Sequence, residues 1–173
     1  MPPDREEEIE AGGRKVRIRP IRPEDEPNLH AFFAKLSPED VRMRFLQPLK
    51  RLPEPLGHRL SHLDPDREMA LVAHDAPDDI LGVGRISATA NSAEFALTVR
   101  TDRQGLGLGH TLMTRILDHA WNKGIDEVFG DVLAENARML DLCRSLGGEV
   151  RQHPADSTLL RVVFRNHANR SGA

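Results

Sequence analysis

The chain has 173 residues, 39 % of them hydrophobic and 29 % charged, which suits one domain around one core. Its formal net charge of -3, from 24 Lys and Arg against 27 Asp and Glu, argues against nucleic acid as the main partner, which would want a basic excess. A single cysteine, Cys143, excludes an internal disulfide, no apolar run nears the ~20 residues of a membrane span, and the acidic start lacks a signal-peptide core, so a cytoplasmic protein with no membrane partner is expected.

Residues 1–14 are polar and acidic, close on Gly12-Gly13, and read as a disordered tail before a domain over 15–166; residues 167–173 read as a second tail. Residues 15–22 alternate through Val16, Ile18 and Ile21 as a first strand, with Pro20 suited to an edge and Pro23 to a helix start. Residues 24–36 are amphipathic through Leu29, Phe32, Phe33 and Leu36. Ser37 as cap, Pro38 at the first helical position and Glu39-Asp40 in the first turn signal a second helix to about Leu46. A proline-rich irregular stretch follows, with room for a short helix over 56–63. Residues 68–74 and 80–88 read as a hairpin turning at 76–79, and Asn91-Ser92 turns into the next strand.

That next stretch organises the rest. Phe95, Leu97 and Val99 alternate with Glu94, Ala96 and Thr98 as a half-buried strand, placing Glu94 on the face opposite the apolar three. Gln104-Gly105-Leu106-Gly107-Leu108-Gly109-His110 then leads into a helix whose apolar positions run from Leu108 to Trp121, stopped by Gly124. Glycines at a helix entry leave its first N–H groups open, an anion site assisted by the helix dipole. The dinucleotide pattern Gly-x-Gly-x-x-Gly fails, because its third position falls on His110 or Leu112. The P-loop also fails, because Gly109 is followed by His110-Thr111. Beyond it, residues 127–133 read as a strand, 134–146 as a helix stopped by Gly147-Gly148, and 149–153 and 158–165 as two last strands.

Gln104, Gly107 and Gly109 resemble the Gln/Arg-x-x-Gly-x-Gly/Ala loop of the GNAT acetyltransferase superfamily, and the element order over 16–164 is similar to that of the GNAT fold. More closely, Arg19-Pro20-Ile21-Arg22-Pro23-Glu24-Asp25, Arg44-Phe45, the 67–73 segment, Ala93-Glu94-Phe95-Ala96 and Asn136-x-x-Met139 look like the acetyltransferase domain of bacterial Pat-type protein lysine acetyltransferases. The resemblance implies an α/β fold with a mixed, mostly antiparallel sheet splayed at the cofactor site, and about four helices. The splay is often made through a bulge. It implies acetyl-coenzyme A as cosubstrate and transfer of its acetyl group to an amine. Its preferred acceptor is a protein lysine, plausibly on an acyl-CoA synthetase, with a small amine or a non-catalytic acyl-CoA sensor as alternatives. A homodimer is common in the family, though no stretch here announces an interface. The regulatory domains often fused to Pat-type enzymes do not fit in 173 residues, so such control is expected to be absent or to come from another chain.

Residue by residue, the resemblance makes Glu94 the general base that a mostly protonated amine needs. Leu97, Thr98 and Val99 would pair with the pantetheine amides. Gln104, Gly105, Leu106, Gly107, Leu108, Gly109 and His110 would hold the pyrophosphate, and Asn136 would bind the cofactor arm or cap its helix, or both. Arg103 is either a further phosphate contact or a solvated charge. Where many relatives carry a Tyr to protonate the leaving thiolate, this chain has Cys143 and no Tyr at all, and Cys143 is read first as a small buried hydrophobe. His58 and His62 stand one helical turn apart but lack the Glu of His-Glu-x-x-His and a clear third ligand, so no metal is expected.

Overall fold

The hydrophobic alternation places two apolar layers on the two faces of one sheet. A computed structural model describes residues 6–167. The strands are β1 (Glu7–Ala11), β2 (Arg14–Pro20), β3 (Glu68–Ala76), β4 (Asp79–Thr89), β5 (Ser92–Val99), β6 (Glu127–Leu133), β7 (Glu149–Gln152) and β8 (Leu159–Arg165). The helices are α1 (Glu26–Ala34), α2 (Pro38–Phe45), α3 (Glu54–Ser61), α4 (Leu108–Asn122) and α5 (Ala137–Ser145). The sheet runs β1-β2-β3-β4-β5-β6-β8-β7, and only the β5–β6 pair is parallel. The expected mixed, mostly antiparallel α/β fold is thus present. No described helix is long and apolar enough to cross a membrane.

Helices α4 and α5 cover one face. Leu112, Met113 and Ile116 of α4 are fully buried there against Leu71, Leu81 and Leu97, and Leu140 and Cys143 of α5 join the same layer. On the other face Phe32 and Phe33 of α1 and Val41 of α2 pack on Val72, Ile80 and Val83. Ser37 caps α2 as its sequence demands, its Oγ accepting from Asp40 N at 3.1 Å.

Strand β1 corrects the expected tail over 1–14; residues 1–5 lie outside the described residues. Its acids make sense only with their partners in place. Glu7 accepts two bonds from Arg115 of α4 at 2.6 and 2.8 Å, and Glu6 meets Arg17 and His74. Ile9 and Ala11 supply the inward contacts. A run of glutamates looks disordered until a distant helix supplies the guanidinium.

The deepest ion pair fixes the start of α1. Arg19 and Asp25 are 5 % and 3 % exposed and form a fork of 2.7 and 2.8 Å, while Asp25 also accepts from Arg22 N at 2.8 Å. Burial raises the Asp25 pKa, but the Arg19 fork and the Arg22 N–H outweigh it and hold the carboxyl below its usual value. A depressed folded pKa stabilises the fold above the unfolded value of ~3.9, and that stability is lost as pH falls through the folded value. Asp25→Ala, which strands a buried guanidinium, is expected to cost about 3–5 kcal/mol in urea unfolding at pH 7. The wild-type advantage over it should shrink as pH is lowered below ~4; an advantage that stays constant down to the acid transition would refute the assignment.

Candidate active site

The site begins where the sheet divides. Strands β5 and β6 pair only through Ser92–Glu127, Ala93–Val128 and Glu94–Phe129; beyond Glu94 they part, and β6 continues on β8 alone. At the first unpaired step the Phe95 ring lies across Gly130, where a Cβ would stand 2.5 Å from Phe95 Cε1. The ring is held from behind by Phe164, edge to face at 5.9 Å. No bulge is involved, since the β4–β5 register is unbroken from Gly82–Val99 to Thr89–Ser92. Register shifts fall instead between Ala73 and His74 and between His74 and Ala76 in the β3–β4 pair. The division leaves the β6-facing edge of β5 open over Phe95–Val99.

A cavity of about 690 Å³ occupies that division. Leu97, Thr98 and Val99 line it from β5, and Gln104, Gly105, Gly107, Leu108, Gly109 and His110 from the loop and the start of α4. Asn136 and the first turn of α5 close the far side, and α2 forms the remaining wall. Gly107 takes φ +85 at the N-cap with no side-chain cap, and the first helical bond at this end runs from Thr111 N to Gly107 O. The N–H groups of Leu108, Gly109 and His110 therefore face the cavity without helical acceptors, the arrangement that suits a pyrophosphate.

The side chains of three expected contributors have partners of their own. Leu106 is not in the cavity wall; it is 41 % exposed and its side chain lies over Gly12. Gln104 is a strut, its Nε2 donating to Val99 O at 3.1 Å and to Asp40 Oδ2 at 2.9 Å. Asp40 also accepts from Thr101 Oγ1, so α2 is tied to the loop. Arg103 lines the cavity and is not a merely solvated charge, since it pairs with Asp75 at 3.2 Å. Asn136 does cap α5, its Oδ1 accepting from Met139 N at 3.2 Å, which leaves its NH₂ toward the cavity. Arg138 lines the same wall with no ion pair among the described residues, a cation that spacing gave no reason to single out.

Glu94 is exposed and stands at the last paired step of the divided strands. It lines a second cleft of about 490 Å³ on the α2–α3 face of the sheet. The registers place Glu68, Ser87 and Glu94 in one row across β3, β4 and β5, with Ala70, Arg85 and Ala96 in the next. Arg44 of α2 lines both the larger cavity and this cleft, so the two spaces meet at its guanidinium. Burial pulls the Arg44 pKa down to about 10, with the Glu94 charge opposing the fall.

Cys143 is 0 % exposed and absent from the cavity wall; burial pushes its thiol up to about 12. It is a core side chain, sealed away from the cavity. The His58–His62 pair gains a third group that spacing did not reveal. Glu26 stands 3.3 Å from His58 Nδ1, and the three donors lie within 4.8 Å of one another. The two rings are stacked at 3.8 Å and 19°, however, so their in-plane lone pairs run side by side rather than converging.

The comparisons agree with this geometry. Residues 15–149 match the family model "Acetyltransferase (GNAT) domain". The chain is 36 % identical over 158 residues to "Acetyltransferase PA5475" of Pseudomonas aeruginosa, covering 88 % of this chain and 84 % of the relative. The GNAT domain of S. lividans PAT superposes with a TM-score of 0.86 at 26 % identity, covering 92 % of this chain and 96 % of that one. The fold is also that of the PaiA N-acetyltransferase from Thermoplasma acidophilum, solved with coenzyme A, at a TM-score of 0.70, 17 % identity, and coverage of 87 % and 98 %. The chain belongs to the GNAT family and is an acetyl-coenzyme A-dependent acetyltransferase.

Proposed function

We propose that this enzyme acetylates a lysine side chain of a protein, with Glu94 as general base and direct attack of the amine on bound acetyl-coenzyme A. The observation that carries the reading is the meeting of two spaces at the strand division. The larger cavity offers open N–H groups for a pyrophosphate, and the smaller cleft holds Glu94. The Pat-like segments around Glu94 and the likeness to the S. lividans PAT domain favour a protein acceptor over a free small amine.

In this reading the pantetheine arm lies along the open edge of β5 as an added strand, with the pyrophosphate on Leu108–His110 and Arg138 nearby. The thioester then reaches the end of the division, where Glu94 stands. Glu94 takes a proton from the acceptor nitrogen, the nitrogen bonds to the thioester carbon, and the carbon–sulfur bond breaks. The departing thiolate takes its proton from water, because the Cys143 thiol is sealed in the core. Arg44, at the junction, places positive charge near both the forming oxyanion and the thiolate.

Glu94→Gln should lower kcat by about 10²–10⁴-fold while leaving the KM for acetyl-coenzyme A unchanged, since Glu94 lies outside the larger cavity. An unaltered kcat would remove Glu94 from the mechanism. Gly107→Val forces a β-branched residue into φ +85 at the cavity rim and should raise the acetyl-coenzyme A KM about tenfold or more. Normal cofactor affinity in that variant would show that the loop does not hold the pyrophosphate. Iodoacetamide at pH 8 should leave Cys143 unmodified in the native protein and label it once urea unfolds the chain, and Cys143→Ala should keep its kcat. Native labelling, or a collapse of kcat, would return the thiol to the list of proton donors.

A further inference from the structure

The Glu94 cleft holds more positive charge than its chemistry as a base requires. Four arginines line it: Arg44 from α2, Arg59 from α3, Arg67 from the segment before β3, and Arg85 from β4. They face two carboxylates, Glu68 and Glu94, in a chain whose net charge is -3. Elsewhere most guanidinium groups are matched, with Arg14, Arg22, Arg51 and Arg138 the other exceptions among the described residues. Arg17, Arg19, Arg42, Arg100, Arg103, Arg115, Arg144, Arg151, Arg161 and Arg165 each stand within 4.0 Å of a carboxylate oxygen. Among the described residues, none of the four in the cleft has such a pair. Their polar contacts are to neutral groups: Arg85 Nη2 donates to Leu60 O at 3.1 Å and Arg67 Nε to Ala88 O at 3.2 Å, while Arg44 lies over the Phe45 ring at 4.7 Å.

Arg59 and Arg67 are exposed, but Arg44 and Arg85 are half-buried, where positive charge without a counterion is costly. Burial pulls the Arg85 pKa down to about 9; Arg44 and Arg59 depress it further by repulsion, and Glu68 only partly offsets them. The guanidinium groups nonetheless stay charged at neutral pH. Such a group gains most when an anion arrives, because a carboxylate or phosphate supplies both the missing charge and oxygens for the guanidinium fork.

We infer that the acceptor amine carries a carboxylate or phosphate close to it, and that Arg59, Arg67 and Arg85 bind this anion while the amine faces Glu94. The inference rests on the acetyl-transfer reading of the same cleft and names the acceptor class within it. In a protein acceptor the anion is an acidic or phosphorylated residue beside the target lysine; in a small acceptor it belongs to the same molecule as the amine. The same positive field disfavours the ammonium form of the entering amine, which eases the proton transfer to Glu94.

The test compares matched acceptors: a lysine peptide flanked by glutamates against its alanine-flanked counterpart, and 6-aminohexanoate against 6-aminohexanamide. The anionic member of at least one pair should show about tenfold or greater kcat/KM, and the pair that shows it identifies the source of the anion. In the double variant Arg59→Gln, Arg67→Gln, both sites being exposed, that ratio should fall toward one, with a retained acetyl-coenzyme A KM reporting an intact fold. Equal rates within both pairs, or a preference that the variant keeps, would overturn the inference.

A binding measurement separates this inference from the catalytic reading. The glutamate-flanked peptide with norleucine in place of lysine is titrated, by fluorescence anisotropy, into protein saturated with coenzyme A. Saturable, salt-sensitive binding to wild type that the double variant lacks supports the anion site even if no amine is ever acetylated. Binding no tighter than that of the alanine-flanked peptide, together with equal turnover of 6-aminohexanoate and 6-aminohexanamide, overturns it even if the enzyme turns over.

Discussion

The functional geometry depends on one interruption of hydrogen bonding, the parting of β5 and β6 after Glu94. A parallel pair that ran its full length would consume the edge of β5 and fill the cavity. The interruption is stabilised locally by an aromatic ring over a glycine, since the Phe95 ring occupies the space that any side chain at position 130 would need. Backbone groups left open by it are costly unless satisfied by solvent or ligand. One end is closed internally, because Gln104 caps the Val99 carbonyl. The rest of the edge remains open, and in the proposed reading a pantetheine arm, with amides of its own, pairs with it.

Around that division, α2 acts as the wall between two kinds of site. Its start is fastened to the glycine loop through Ser37, Asp40, Thr101 and Gln104, and its Arg42 is paired with Glu135 at the entrance to α5. Its Arg44 reaches the junction of the two spaces. A helix fastened at both sides of the cavity holds the Arg44 charge beside both spaces without a direct carboxylate partner.

Much of this was legible in the linear chain. The alternation around Phe95 placed Glu94 on the opposite face, and the glycines at 105, 107 and 109 announced a helix entry with open N–H groups. Ser37-Pro38 and Asn136 read correctly as helix starts because capping is settled by residues within one turn. β1 was not legible, because its glutamates find their partners on β2 and on α4, more than a hundred residues away. The direction of the Leu106 side chain was not legible for a related reason: only the packed chain shows it turned onto Gly12.

The sequence by itself determined the strand–loop–helix unit, the family likeness and the identity of the base candidate, since each rests on local periodicity and short motifs. The tertiary structure decided where β5 and β6 separate, which depends on a ring at position 95 meeting a glycine at position 130. It also decided that Arg44, Arg59, Arg67 and Arg85, scattered over four segments, converge on one cleft with too few carboxylates to match them. Charge balance is a property of volumes, and a linear chain shows charges only in order.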